Sequence, residues 1–180
     1  QCVDVSNEEA ADILGYFKPQ SFPKKHRILS EGEVCKLEGF ITQGCIKTYY
    51  TDPDGQDVIQ TFATENWWIS DVASFEYQTP SKMYIETIEP TELLILSRES
   101  KTRLLDEHPK LEKMFRLLLQ RHLRAYQERL YRNIALSATE RYALFIDKNA
   151  HLLQRIPQHL IASYLGISPE SLSRIRSKKS

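Results

Sequence analysis

Residues 156–176 read Ile-Pro-Gln-His-Leu-Ile-Ala-Ser-Tyr-Leu-Gly-Ile-Ser-Pro-Glu-Ser-Leu-Ser-Arg-Ile-Arg, and no other stretch narrows the possible folds as far. Pro157 suits a first helical position, where its missing N–H would be unpaired anyway. Leu160, Ile161, Tyr164 and Leu165 recur at helical spacing. Gly166 then offers the left-handed conformation that ends a helix. Ser168 is a good N-cap, and Pro169 falls at the next first position. Leu172 and Ile175 mark the buried side of a second helix, leaving Glu170, Ser171, Ser173, Arg174 and Arg176 outside. The stretch is expected to be two short helices joined by a tight turn.

That spacing fits a DNA-binding helix-turn-helix, whose second helix enters the major groove N-terminus first. The outward residues have suitable chemistry. An arginine fork pairs with guanine O6 and N7, glutamate accepts from cytosine N4, and serines bond bases or phosphates. An ordinary helical hairpin with a polar outer face has the same spacing, so the rest of the chain has to discriminate.

The chain of 180 residues is formally neutral, but its charge is divided. Residues 1–110 hold 11 basic and 19 acidic side chains, and residues 111–180 hold 13 and 5. An acidic part followed by a basic part suggests that only the second meets a polyanion. The three cysteines, Cys2, Cys35 and Cys45, are scattered and odd in number, which fits a reducing compartment. No apolar run approaches the ~20 residues of a membrane span, and no secretory leader is recognised. The cytoplasm is the expected location, with no membrane partner.

Between Ser21 and Leu96 the pattern is strand and turn. Glu31-Gly32, Gln43-Gly44 and Asp52-Pro53-Asp54-Gly55 punctuate β-favouring runs at 27–29, 39–42, 46–50, 58–62, 83–88 and 92–96. Such runs suggest a jelly-roll sandwich or barrel. Capping boxes at Ser6–Glu9 and Ser137–Glu140 open helices, and Ser97 caps another that ends near Asp106. From Lys110 to Leu136 there is neither glycine nor proline. Phe115, Leu119, Leu123, Tyr126, Leu130 and Ile134 form a stripe long enough to pack on a partner as well as on its own domain. The expected fold is α+β: an N-terminal jelly-roll (double-stranded β-helix) barrel over residues 1–108, a long dimerisation helix over 109–136 and an all-α, winged-helix-like helix-turn-helix domain over 137–180. A dimer makes physical sense, because two readers then meet two half-sites ~34 Å apart.

These residues resemble the Crp/Fnr family of bacterial transcription regulators over nearly the whole chain. The resemblance rests on Gly39-Phe40-Ile41-Thr42-Gln43-Gly44, Ile46-Lys47-Thr48-Tyr49-Tyr50, Asp54-Gly55-Gln56-Asp57 and the closing Ala-Ser-Tyr-Leu-Gly-Ile-Ser motif. Trp67-Trp68-Ile69-Ser70-Asp71, Ser74-Phe75 and Glu140-Arg141-Tyr142 are similar to the branch common in Bacteroidetes. The resemblance implies a cyclic-nucleotide-binding-like barrel, a dimerisation helix and a winged-helix reader. It puts base reading on Pro169, Glu170 and Arg174, with Pro169 replacing an arginine. Ser168, Ser171, Ser173, Arg176 and Lys178 are expected on phosphates or flanking bases. The family's wing has little room, since only Lys148 to Arg155 are available for it.

Cyclic-AMP binders of the family carry a Gly-Glu-Leu turn and an Arg-Ser pair. Here those positions read Ser70-Asp71-Val72 and fall near Ser81-Lys82. Asp71 can bond a sugar hydroxyl, but Lys82 cannot reproduce an arginine fork. A pocket around Ser70, Asp71, Ser74, Ser81, Lys82 and Tyr84 is therefore expected to take a small molecule other than cyclic AMP, or none. Trp67, Trp68, Phe75 and Tyr84 read better as core or interdomain packing than as ligand stackers.

No resident cofactor is indicated. Three dispersed cysteines do not supply an iron–sulfur cluster, no histidine pair has metal spacing, and no nucleophile elbow or phosphate-binding glycine loop is present. An enzyme is not expected. The regulator reading brings double-stranded DNA with a palindromic operator, a second copy and RNA polymerase as partners. The competing reading is a small-molecule-binding barrel whose helical tail is a protein-interaction module without specific DNA binding.

Overall fold

The runs of β-favouring residues form eight strands: β1 (Lys18–Phe22), β2 (Arg27–Leu29), β3 (Leu37–Gln43), β4 (Ile46–Thr51), β5 (Asp57–Ala63), β6 (Trp68–Ile69), β7 (Tyr84–Thr87) and β8 (Thr91–Ser97). The computed structural model describes residues 3–177. Two four-stranded antiparallel sheets result, ordered β1-β8-β3-β6 and β2-β7-β4-β5. The chain repeatedly crosses from one sheet to the other, as in a jelly roll. Ile41, Ile46, Phe75, Ile85 and Leu93 fill the space between the sheets.

Two strands were not expected. Lys-Pro-Gln-Ser-Phe in β1 is polar and contains proline, and it lies on a sheet edge, where proline is tolerated. β6 is two residues long and is the opposite edge. The β3–β4 turn needs Gly44, with φ at +107°. A Cβ there would meet Thr91 Oγ1 at 2.4 Å and the Pro90 carbonyl oxygen at 2.7 Å.

The helices follow their caps. Ser6 and Glu9 close a reciprocal capping box on α1 (Asn7–Gly15). Asp71 caps the short α2 (Val72–Tyr77), and Ser97 caps α3 (Arg98–Glu107). α4 (Leu111–Ala135) runs uninterrupted for 25 residues, or ~37 Å at the helical rise. The second capping box, Ser137 with Glu140, opens α5 (Ala138–Asn149). A 3₁₀ turn at Ala150–Leu152 occupies the place of a wing. α6 (Gln158–Leu165) and α7 (Pro169–Ser177) complete the chain. Pro157 lies one position earlier than expected: its ψ of 139° makes it the N-cap, and its carbonyl accepts from Leu160 and Ile161.

The core of the last helices is continuous with the barrel. Tyr142, Phe145, Leu152, Ile156, Ile161, Leu165 and Leu172 pack in one cluster with Cys45 and Ile88. Burial pushes the Cys45 thiol up to about 12, so it stays a protonated, inert core residue. Among the described residues no helix is long and apolar enough to cross a membrane, and no three metal-ligating side chains gather.

Candidate functional site

Gly166 takes the left-handed conformation at φ +65° and turns the chain between α6 and α7. Its N–H donates to the Ser163 carbonyl at 3.0 Å, and the Ile167 N–H to that of Ala162 at 3.1 Å. Ser168 Oγ then accepts from the Ser171 N–H at 3.2 Å, which fixes the start of α7. Leu172 is buried beneath, so the opposite face of α7 is turned away from the core.

On that face Ser168, Pro169, Glu170, Ser173, Arg174 and Arg176 are exposed, and Ser171 is half-buried. Arg174 Nη2 donates to Ser171 Oγ at 3.1 Å, which holds the guanidinium along the helix. The Glu170 carboxyl is lowered by its hydrogen bond with Ser168 and, less strongly, by Arg174. It is thus an ionised acceptor at neutral pH. Lys178 lies outside the described residues. Arg141, a motif residue with no role assigned from the sequence, supports this unit from behind: Nε donates to the Leu165 carbonyl at 3.1 Å and Nη1 to that of Leu136 at 2.6 Å.

The stripe on α4 divides in two. Phe115 is 9% exposed and turned to its own barrel, edge-on to Trp68 at 5.7 Å. Leu119, Leu123, Tyr126, Leu130 and Ile134 are 47–78% exposed, so five large apolar side chains follow one another along a face that this chain leaves uncovered.

Of the six residues expected around an effector, Asp71, Ser74 and Ser81 come together through hydrogen bonds to one another. Ser74 is buried as a loop staple: its Oγ accepts from the Cys35 N–H at 2.8 Å and donates to the Thr79 carbonyl at 2.6 Å. Ser81 is buried too, and its Oγ donates to Asp71 Oδ2 at 2.7 Å. Asp71 Oδ1 accepts from the Ser74 N–H. Both oxygens of that carboxylate are therefore engaged inside the loop. Lys82 is exposed, and Tyr84 stacks on Tyr49 at 4.8 Å. Only Ser70 and Asp71 of the six line a cleft of about 700 Å³ between the barrel and α4. Its other walls include Trp67, Trp68, Tyr50, Leu119, Tyr126 and Arg129.

Two contact sets, neither visible in the sequence, join the barrel to the closing helices. Arg155 pairs with Glu65 at 2.8 Å and with Glu89, and the Glu65 carboxyl is held at about 2, first by that hydrogen bond. Ser163 Oγ on α6 donates to the Asp57 carbonyl at 2.6 Å and accepts from the Ile59 N–H at 3.0 Å. Arg129 Nη2 on α4 donates to the Ile59 carbonyl at 2.6 Å and the Tyr164 carbonyl at 3.3 Å. The edge strand β5 is thus the seat of α6.

The family model for the cyclic nucleotide-binding domain matches residues 19–108. No curated protein sequence matches the chain. Among solved structures, FixK2 from Bradyrhizobium japonicum aligns with a TM-score of 0.79 at 20% identity, over 90% of this chain and 83% of that one. The Catabolite Activator Protein of Thermus thermophilus aligns at 0.62 and 23% identity, over 97% and 83%. The c-di-GMP-responsive global regulator CLP of Xanthomonas campestris aligns at 0.73 and 15% identity, over 94% and 89%. These likenesses extend beyond the barrel, through the long helix and into the closing pair of helices. With half of the chain matched by one domain model and nearly all of it by one architecture, the chain belongs to the cyclic nucleotide-binding domain family and has the Crp/Fnr fold.

Proposed function

We propose that the chain is a sequence-specific, DNA-binding transcriptional regulator that acts as a homodimer. The observation that carries this reading is α7 itself: anchored by Leu172 and capped by Ser168, it presents Glu170 and Arg174 side by side on an exposed face. In this reading Arg174 pairs with a guanine and Glu170 with a cytosine amino group. Ser168, Ser171, Ser173, Arg176 and Lys178 hold phosphates or flanking bases, and Pro169 contributes no base contact. The exposed stripe on α4 pairs across a two-fold axis, so the operator is palindromic. Residues 1–108 act as the sensor, 109–136 as the dimerisation helix and 137–180 as the reader. The reading implies a cytoplasmic bacterial protein that works with RNA polymerase and catalyses no reaction of its own.

Replacing Arg174 with Ala should cost ~1–3 kcal/mol on the selected operator and relax preference at one base pair. Competition binding with operator and scrambled duplexes measures this. An equal loss on both duplexes would remove Arg174 from base reading.

A further inference from the structure

Residues 1–110, which include the barrel, are the acidic part of the chain, with 11 basic and 19 acidic side chains. The turn between β1 and β2 departs from this. Lys24, Lys25, His26 and Arg27 follow one another there, and all four are exposed. Among the described residues neither Lys24 nor Lys25 has a carboxylate partner. Arg27 has Glu86 at 3.7 Å, yet its side chain stays 60% exposed. The acids at the end of β7 are already engaged, Glu86 by Lys47 at 3.3 Å and Glu89 by Arg155.

The turn has a fixed shape. Thr87 is fully buried, and its Oγ1 donates to the Pro23 carbonyl at 2.7 Å and accepts from the His26 N–H at 2.8 Å. The Thr87 carbonyl accepts from the Lys25 N–H at 2.9 Å, and its N–H donates to the His26 carbonyl at 3.0 Å. The His26 ring lies 5.1 Å from that of Phe22. These contacts hold Lys25 at φ +62°, a conformation that a residue with a Cβ keeps only where its surroundings enforce it. One buried threonine thus fixes where two unpaired ammonium groups leave the surface.

The turn also sits at the end of the barrel that carries the closing helices. Arg27 opposite Glu86 puts the start of β2 beside the end of β7. Thr87 ends β7, Ile88 belongs to the core of the closing helices, and Glu89 binds Arg155. The start of β2 is one strand spacing from that segment, ~4.8 Å. On this side the place of a wing is taken by the 3₁₀ turn at Ala150–Leu152, and Arg155 beside it is spent on Glu65 and Glu89.

We propose that the β1–β2 turn is a second DNA contact: Lys24 and Lys25 hold phosphates of the duplex that runs outward from each half-site, in place of a wing. This rests on the assignment of α7 as the DNA reader. A lysine ammonium is a compact point charge, and charge-to-phosphate contact is independent of sequence. The turn therefore adds affinity and salt dependence, while selectivity stays with α7.

The test compares the selected operator as a duplex ending at its half-sites with the same operator extended by about one helical turn, ~10 base pairs, at each end. The wild-type chain should bind the extended duplex more tightly. Its log–log salt dependence there should be steeper by about four, one unit for each of four lysines in the dimer. Lys24→Gln with Lys25→Gln should lose both differences, keep wild-type affinity for the short duplex and keep its preference for operator over scrambled sequence. Circular dichroism checks that this variant is folded. Lys36→Gln, an exposed lysine before β3 at the other end of the barrel, should behave as wild type. Equal wild-type affinity for both lengths, an advantage of length that survives in the folded double variant, or an equal loss in Lys36→Gln would overturn the proposal and leave the regulator reading intact. Wild-type binding that does not distinguish operator from scrambled duplex at either length would overturn the regulator reading and this contact with it.

Discussion

Two glycines have different work in this fold, and substitution separates them. Both have positive φ, which is strained for any residue with a Cβ. Around Gly166 the added atom meets nothing within 4 Å, so Gly166→Ala should cost only the backbone strain, ~1 kcal/mol. At Gly44 the atom strikes Thr91 and the backbone of Pro90, so Gly44→Ala should cost clearly more, ~3 kcal/mol. Urea unfolding of the two variants checks the order. Glu65 makes a second residue-scale prediction. Its carboxyl falls from 4.5 to about 2 on folding, mainly through Arg155. A depressed acid stabilises the fold above its unfolded value and loses that effect as pH falls toward the folded one. The midpoint difference between wild type and Glu65→Gln should therefore be full above pH 4.5 and vanish toward pH 2. Glu65 is partly exposed, so added salt should shrink the difference. A difference that does not vary with pH would show that Arg155 is not its cause.

At the scale of elements, most of the fold was legible because its signals are local. A capping box spans four residues, and the boxes at Ser6 and Ser137 form as expected. Gly166 and Pro169 mark the turn within the closing motif. β1 and β6 were missed because both are edges, where a strand needs only one neighbour and little apolar content. The α4 stripe was read correctly as a stripe, but its periodicity could not show that Phe115 faces inward while Leu119 to Ile134 face out. This division makes a prediction. Leu123→Glu together with Leu130→Glu should convert a dimer to a monomer in analytical ultracentrifugation with the far-ultraviolet spectrum unchanged, since both positions are more than half exposed in the single chain. A dimer that survives both charges would place its interface elsewhere.

For the whole molecule, the informative contacts are remote in sequence. Arg155 and Glu65 are 90 residues apart, and Ser163 and Ile59 are 104 apart. Neither pair leaves a periodicity or motif to read. The same distance explains the effector residues. Asp71 caps α2, Ser74 lies within it and Ser81 follows it, and their hydrogen bonds run to Cys35, Thr79 and one another. Burial, which sequence does not display, makes these groups staples of the fold. Arg129 was legible only as one cation among several on a long helix. Its place at the junction of cleft, β5 and α6 is a property of the assembled chain.

The central claim is that α7 reads DNA as one of a symmetric pair. Selection of bound duplexes from a random pool, at ~0.15 M salt, tests it most directly. The account predicts enrichment of a palindrome with half-site centres ~10 base pairs apart, and loss of that enrichment in Arg174→Ala. Uniform recovery, with weak affinity that salt does not alter, both alone and with cyclic AMP added, would contradict it.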